Sequence, residues 1–104
     1  MDEQKQEIVV ESINMINKAI REIGDARERL DECGIHLCSH LLFGSNFNQY
    51  EVKVYTGIKK LAECFGAEAY HPSRDYDNPQ RKLGVEINGV WYFQLGKNMG
   101  YEFD

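Results

Sequence analysis

Proline is scarce in this chain, represented by Pro72 and Pro79 alone, and no run of about 18 apolar residues occurs. The first shortage leaves room for long uninterrupted helices and strands. The second excludes a helical membrane span. Cysteine is nearly as scarce. Cys33, Cys38 and Cys64 are odd in number and form no C-x-x-C pair, so a reducing cytoplasm is expected rather than a disulfide framework. The polar start Met1 to Glu7 has no apolar segment behind it, and a signal peptide is not expected. Basic residues are outnumbered, 12 Lys and Arg against 17 Asp and Glu, for a net charge of −5. A domain that grips nucleic acid through phosphate contacts needs a basic face, and this composition argues against one. A Gly-rich phosphate cradle is also missing. With 9 glycines and 42 % apolar residues, the composition is neither collagen-like nor disordered.

What is present suits one α+β domain over residues 1–104. A chain of this length buries roughly 60–70 % of its unfolded surface and needs no metal or disulfide staple. Residues 3–33 predict one long helix. Val9, Ile13, Ile16, Ile20, Ile23 and Leu30 follow a heptad spacing, with Arg27 at the skipped position and Ala19 and Ala26 widening the stripe. Asp2 is placed to cap the start, and Gly34 to end the helix in a left-handed turn. Arg21–Asp25 and Arg27–Asp31 are spaced for weak ion pairs. Asp31 and Glu32 lie at the end of the helix that the dipole makes unfavourable for acids. The stripe has two readings: a coiled coil with a second copy, or the side by which the helix lies on a sheet, the commoner use of so short a stripe.

Residues 35–43 read as a strand between Gly34 and Gly44-Ser45-Asn46, although as a helix they would stack His36 on His40. Residues 52–55 alternate as a second strand. Thr56 then caps a short helix, 57–65, whose stripe is Ile58, Leu61, Ala62 and Phe65 and whose end is Gly66. Residues 67–71 suit a short edge strand, and 72–81 a polar loop. Asn88-Gly89 between the alternating runs 82–87 and 90–95 is the sharpest local signal, a two-residue hairpin turn. It sets Ile87 opposite Val90, Val85 opposite Tyr92, Leu83 opposite Gln94, Glu86 opposite Trp91 and Gly84 opposite Phe93. The order α-β-β-α-β-β-β predicts a two-layer α+β sandwich, an antiparallel sheet of four or five strands with both helices on one face. That face takes Leu83, Val85, Ile87, Val90 and Tyr92.

The strand and helix of Tyr50 to Gly66, with its Gly57-Ile58-Lys59-Lys60-Leu61-Ala62 core, and the closing hairpin Val85 to Leu95 with its Asn88-Gly89-Val90 turn, resemble small uncharacterised accessory proteins of Gram-positive phages and prophages. The resemblance covers the C-terminal half and carries over no catalytic residue. It implies an accessory protein of a mobile element in a bacterial cytoplasm, of a kind that often binds and inhibits host machinery, defence systems included.

Three constellations are candidates for function. Cys33, His36, Cys38 and His40 are good zinc ligands by type, but their spacing lacks the two separated pairs of a structural site, and no metal is expected. The loop residues His71, Arg74, Asp75, Tyr76, Asp77 and Arg81 mix acid, base and aromatic, as ligand loops do. His71 with Asp75 or Asp77 is the acid–base pair an enzyme would need, though no nucleophile accompanies it. The hairpin's second face, Trp91, Phe93 and Leu95 beside Gly84, is apolar where a one-sided sheet should be polar. It is either a protein interface or the seat of the tail Met99 to Phe103. The first helix also carries most of the net charge, nine acids and five bases in residues 1–34. That could mimic nucleic acid on a basic partner, but is more often a solvated face.

The sequence therefore predicts a non-enzymatic accessory protein, without cofactor, that binds a host protein or its own copy as a homodimer. No nucleic acid or membrane partner is expected. A small-ligand binder using the 72–81 loop is the alternative, and a minor metal-dependent or hydrolytic enzyme the third reading.

Overall fold

The computed structural model describes residues 2–38, 50–72, 81–97 and 102–103. The chain starts with helix α1, Glu3–Glu32, whose N-cap Asp2 accepts a hydrogen bond from the Lys5 backbone N–H at 2.8 Å, as its position suggests. At the other end Gly34 takes a positive φ of 81°. Its N–H donates to the Asp31 carbonyl, and the Ile35 N–H to the Leu30 carbonyl, the paired bonds of a Schellman turn. The ill-placed Asp31 finds its compensating partner just past that turn, His36 Nδ1 at 2.8 Å. Among the described residues, Arg27 and Asp31 form no ion pair, and the i,i+4 pair that does form is Lys18–Glu22 at 3.9 Å.

Strands β1 (His36–Leu37), β2 (Tyr50–Thr56), β3 (Lys82–Ile87) and β4 (Val90–Leu95) form one sheet in the order β1-β2-β4-β3. Of the strand predicted over 35–43, His36 and Leu37 pair with β2; residues 39–43 lie outside the described residues. The hairpin has the predicted register throughout, from Ile87 opposite Val90 to Leu83 opposite Gln94. Asn88 and Gly89 adopt φ of 50° and 84°, the two positive angles of a type I′ turn. Where 67–71 suggests an edge strand, Tyr70 makes a single antiparallel bridge to Gly84.

The sheet is mixed rather than wholly antiparallel, because β2 runs parallel to β4. A parallel neighbour requires a crossover of a dozen residues or more, usually carrying a helix. The stretch 57–89 supplies it, with α2 (Ile58–Cys64) in the connection. Ile58, Leu61 and Ala62 of α2 pack with Ile35, Val54, Leu83 and Val85 in the core, and Ile87 and Tyr92 close its edge. Thr56 does not cap α2. It ends β2, and the N-cap is Gly57, whose left-handed backbone lies so close to the α1 terminus that a Cβ would stand 2.6 Å from the Gly34 carbonyl oxygen. The capping acceptor comes instead from the sheet: the Ile58 N–H donates to Oε1 of the fully buried Gln94 at 3.1 Å. Phe65 follows α2 as its C-cap and stays exposed instead of completing the apolar stripe.

The larger departure concerns α1. It does not lie on the sheet: none of its residues is buried, and its main contact with the lobe is β1. Leu30 alone among its stripe residues packs against the core. Length explains this. Thirty helical residues extend about 45 Å, whereas strands of six or seven residues extend about 20–24 Å, and α2 already occupies the apolar face. The radius of gyration is accordingly 16.6 Å, against about 13 Å for a compact chain of this length.

Replacing Gln94 with Leu retains volume but leaves the Ile58 N–H without its acceptor. Stability to urea should fall by about 1–3 kcal/mol. An unchanged unfolding midpoint would show that the bond does not hold α2 in place.

Candidate functional site

The hairpin's second face is closed by this chain rather than left open. Trp91 and Phe93 are 8 % and 5 % exposed, Gly84 is buried and Leu95 half-buried. Two neighbours account for part of the cover. The bridge from Tyr70 to Gly84 brings the Tyr70 ring within 5.3 Å of the Trp91 ring centroid, and the Lys82 ammonium lies 5.3 Å from the centroid of Phe93. Gly84 is needed for this packing, since a Cβ there would stand 2.5 Å from the Trp91 ring. Of the tail, Phe103 packs with the core cluster and lies 5.9 Å from the His71 ring. The apolar surplus read from the sequence is thus second-face packing, and its exposure is not observed.

The loop candidates divide. Arg74, Asp75, Tyr76 and Asp77 lie outside the described residues. His71 is engaged structurally, its Nδ1 donating to the Lys82 carbonyl at 2.7 Å, and the Arg81 carbonyl accepts from the Gly96 N–H. Of the proposed ligand cluster, Cys33, His36 and Cys38 are described and His40 is not. His36 is bound to Asp31, and Cys33 and Cys38 are free thiols. Among the described residues no three His, Cys, Asp or Glu side chains gather as a metal site. A shallow groove beside Gly57 presents His36, Lys59 and Lys60, but the first free N–H of α2 there is already taken by Gln94. Among the described residues no helix is long and apolar enough to cross a membrane.

The large apolar surface lies on α1 instead. Val9, Ile13, Ile16 and Ile20 are all about half exposed or more, Ile16 at 53 % and Ile20 at 60 %. Ile8, Val10 and Met15, which the stripe leaves out, are exposed beside them. Seven large side chains on one helix exceed the scattered apolar residues of an ordinary surface. The sequence does carry the signal for this exposure. The stripe repeats every 3.5 residues, the period of a helix–helix seam, and the helix is too long for the sheet it was expected to cover.

Comparison with protein-family models, curated proteins and solved structures finds no match to this chain.

Exchanging both Trp91 and Phe93 for Ser should abolish cooperative unfolding of the lobe. Each loss of a buried ring costs about 3–5 kcal/mol, against a total stability of about 5–15 kcal/mol. A double variant that melts within a few degrees of the parent, followed by far-ultraviolet circular dichroism, would show that these rings are not part of the packing.

Proposed function

We propose that this chain is a non-enzymatic accessory protein that works by protein–protein contact and assembles with a second copy of itself through α1. The observation that carries this reading is the exposed seam of Val9, Ile13, Ile16 and Ile20 on a helix that the lobe holds only near its C-terminal end. An isolated helix is marginal in water, and most helices in proteins draw their stability from burying an apolar face. Here that face is unburied within the chain, so a second helix is what would stabilise it. Full burial of an Ile or Val side chain contributes roughly 1.5–3 kcal/mol, and about half of that remains to be gained at each seam position. Ile8 and Met15 lie beside Val9 and Ile16 and widen the available surface.

The sheet lobe is then the part free to meet another molecule, a host protein in the mobile-element setting that residues 50–66 and 85–95 suggest by resemblance. The described residues offer little for catalysis. His71 is committed to a backbone carbonyl, and the three cysteines are free thiols with no base in hydrogen-bonding contact among the described residues.

Light scattering at about 100 μM should give a mass that is a multiple of the 12.1 kDa chain. Ile16→Asp should return it to a single chain, since two carboxylates would enter the seam, weakening association by about 3 kcal/mol or more. The fluorescence of Trp91 should be unchanged, because that ring belongs to the lobe. A wild-type chain that remains a monomer, or an Ile16→Asp variant that stays associated, overturns the reading.

A further inference from the structure

We propose that the two α1 helices pair antiparallel, about a twofold axis between Asn14 and Met15, with the sheet lobes at opposite ends of the rod. This pairing presupposes the self-assembly through α1 set out above. Three observations lead to it.

The first is which seam residues are free. Leu30 continues the heptad but is taken by the core of its own lobe, and Ile23 and Arg27 are half-buried. The exposed members are Val9, Ile13, Ile16 and Ile20. These four are symmetric about the midpoint of residues 14 and 15. In an antiparallel pair, each residue at one seam position of the heptad faces the other seam position of the partner helix. Centred on that midpoint, Ile13 faces Ile16 and Val9 faces Ile20, so every exposed seam residue meets another. The next layer outward sets Gln6 against Ile23.

The second is Arg27. It occupies a seam position, and among the described residues it has no ion-pair partner. A parallel pair would stack it on its own copy, two like charges in one layer. The antiparallel pair sets it opposite Asp2, with Glu3 adjacent. Asp2 Oδ1 already accepts from Lys5, which leaves its other oxygen for a guanidinium. The rest of the helix follows the same pattern. Within the overlap, residues 2–14 hold Asp2, Glu3, Glu7 and Glu11 against Lys5 alone, whereas residues 15–27 hold Lys18, Arg21 and Arg27 beside Glu22 and Asp25. Antiparallel pairing lays the acid-rich half along the half that holds these bases.

The third is clearance. With the axis at 14/15, the partner's residue 2 reaches residue 27, just short of the lobe that begins to engage the helix at Leu30. The overlap uses the whole free length of α1 and stops where the lobe starts. The two Leu30 positions lie about 45 Å apart along the rod.

Spin labels distinguish the orientations. In a chain with Cys33, Cys38 and Cys64 changed to Ser, Gln4→Cys and Lys18→Cys place single labels on the outer face of α1. The antiparallel pair predicts that the two Gln4 labels are about 30 Å apart along the axis and the two Lys18 labels about 10 Å. A parallel pair gives the same short separation at both positions. Arg27→Glu should weaken the antiparallel pair about tenfold, by facing Asp2 and Glu3 with a third acid, and should change a parallel pair little. A dimer with unequal separations supports the proposal. A dimer with equal separations, or a trimer, overturns the antiparallel pairing and leaves self-assembly standing. A monomer overturns both.

Discussion

The Ile58 N–H donates to the side chain of Gln94, and the lobe is arranged around that bond. Gln94 sits on β4, the strand paired on one side with β2 at Val54 and on the other with β3 at Leu83. It is the buried polar side chain among the core residues. A buried donor without a partner is costly, so α2 can start only where that amide oxygen waits for it. The start of α2 fixes Ile58, Leu61 and Ala62 over the sheet, and their packing with Val54, Leu83 and Val85 is the core. Among the described residues the Nε2 of Gln94 has no hydrogen-bond partner.

This bond also separates what could be read along the chain from what could not. The turn Asn88-Gly89 fixes its hairpin by local backbone chemistry, and strands, pairing and facing residues were all legible from two residues and their flanks. Asp2 and Gly34 likewise mark the ends of α1, because a cap is a contact within a few residues. Thr56 was a reasonable cap by the same local rule. It lost to Gln94, an acceptor 36 residues further along the chain that no local pattern announces. The parallel partnership of β2 and β4 is non-local in the same way: hairpins are visible in sequence, whereas crossovers depend on which strand the returning chain finds. Among the candidate sites, the hairpin's second face is legible as apolar, but alternation cannot say whether Tyr70 and Lys82 will come to lie upon it. The heptad stripe was visible too. Its shortness favoured the sheet over a second helix, whereas comparing the length of α1 with that of the strands weighs against the sheet.

The chain thus contains two kinds of stability. The lobe has a sheet, a covering helix and aromatic packing on the opposite face. The first turns of α1 have an N-cap and little else, so their hydrogen bonds are the ones most readily opened. Partner binding would act on this part of the molecule and leave the lobe nearly as it was.

The meeting of Gly34 and Gly57 adds a mechanical side. The turn that ends α1 and the turn that starts α2 touch backbone to backbone, too close for even a methyl group between them. Chain of this kind has no slack, and α1 is seated on a fulcrum rather than hung on a tether. A load applied near residue 3 acts through a lever arm of about 45 Å. Its moment falls on the first turn of α2 and the amide that anchors it.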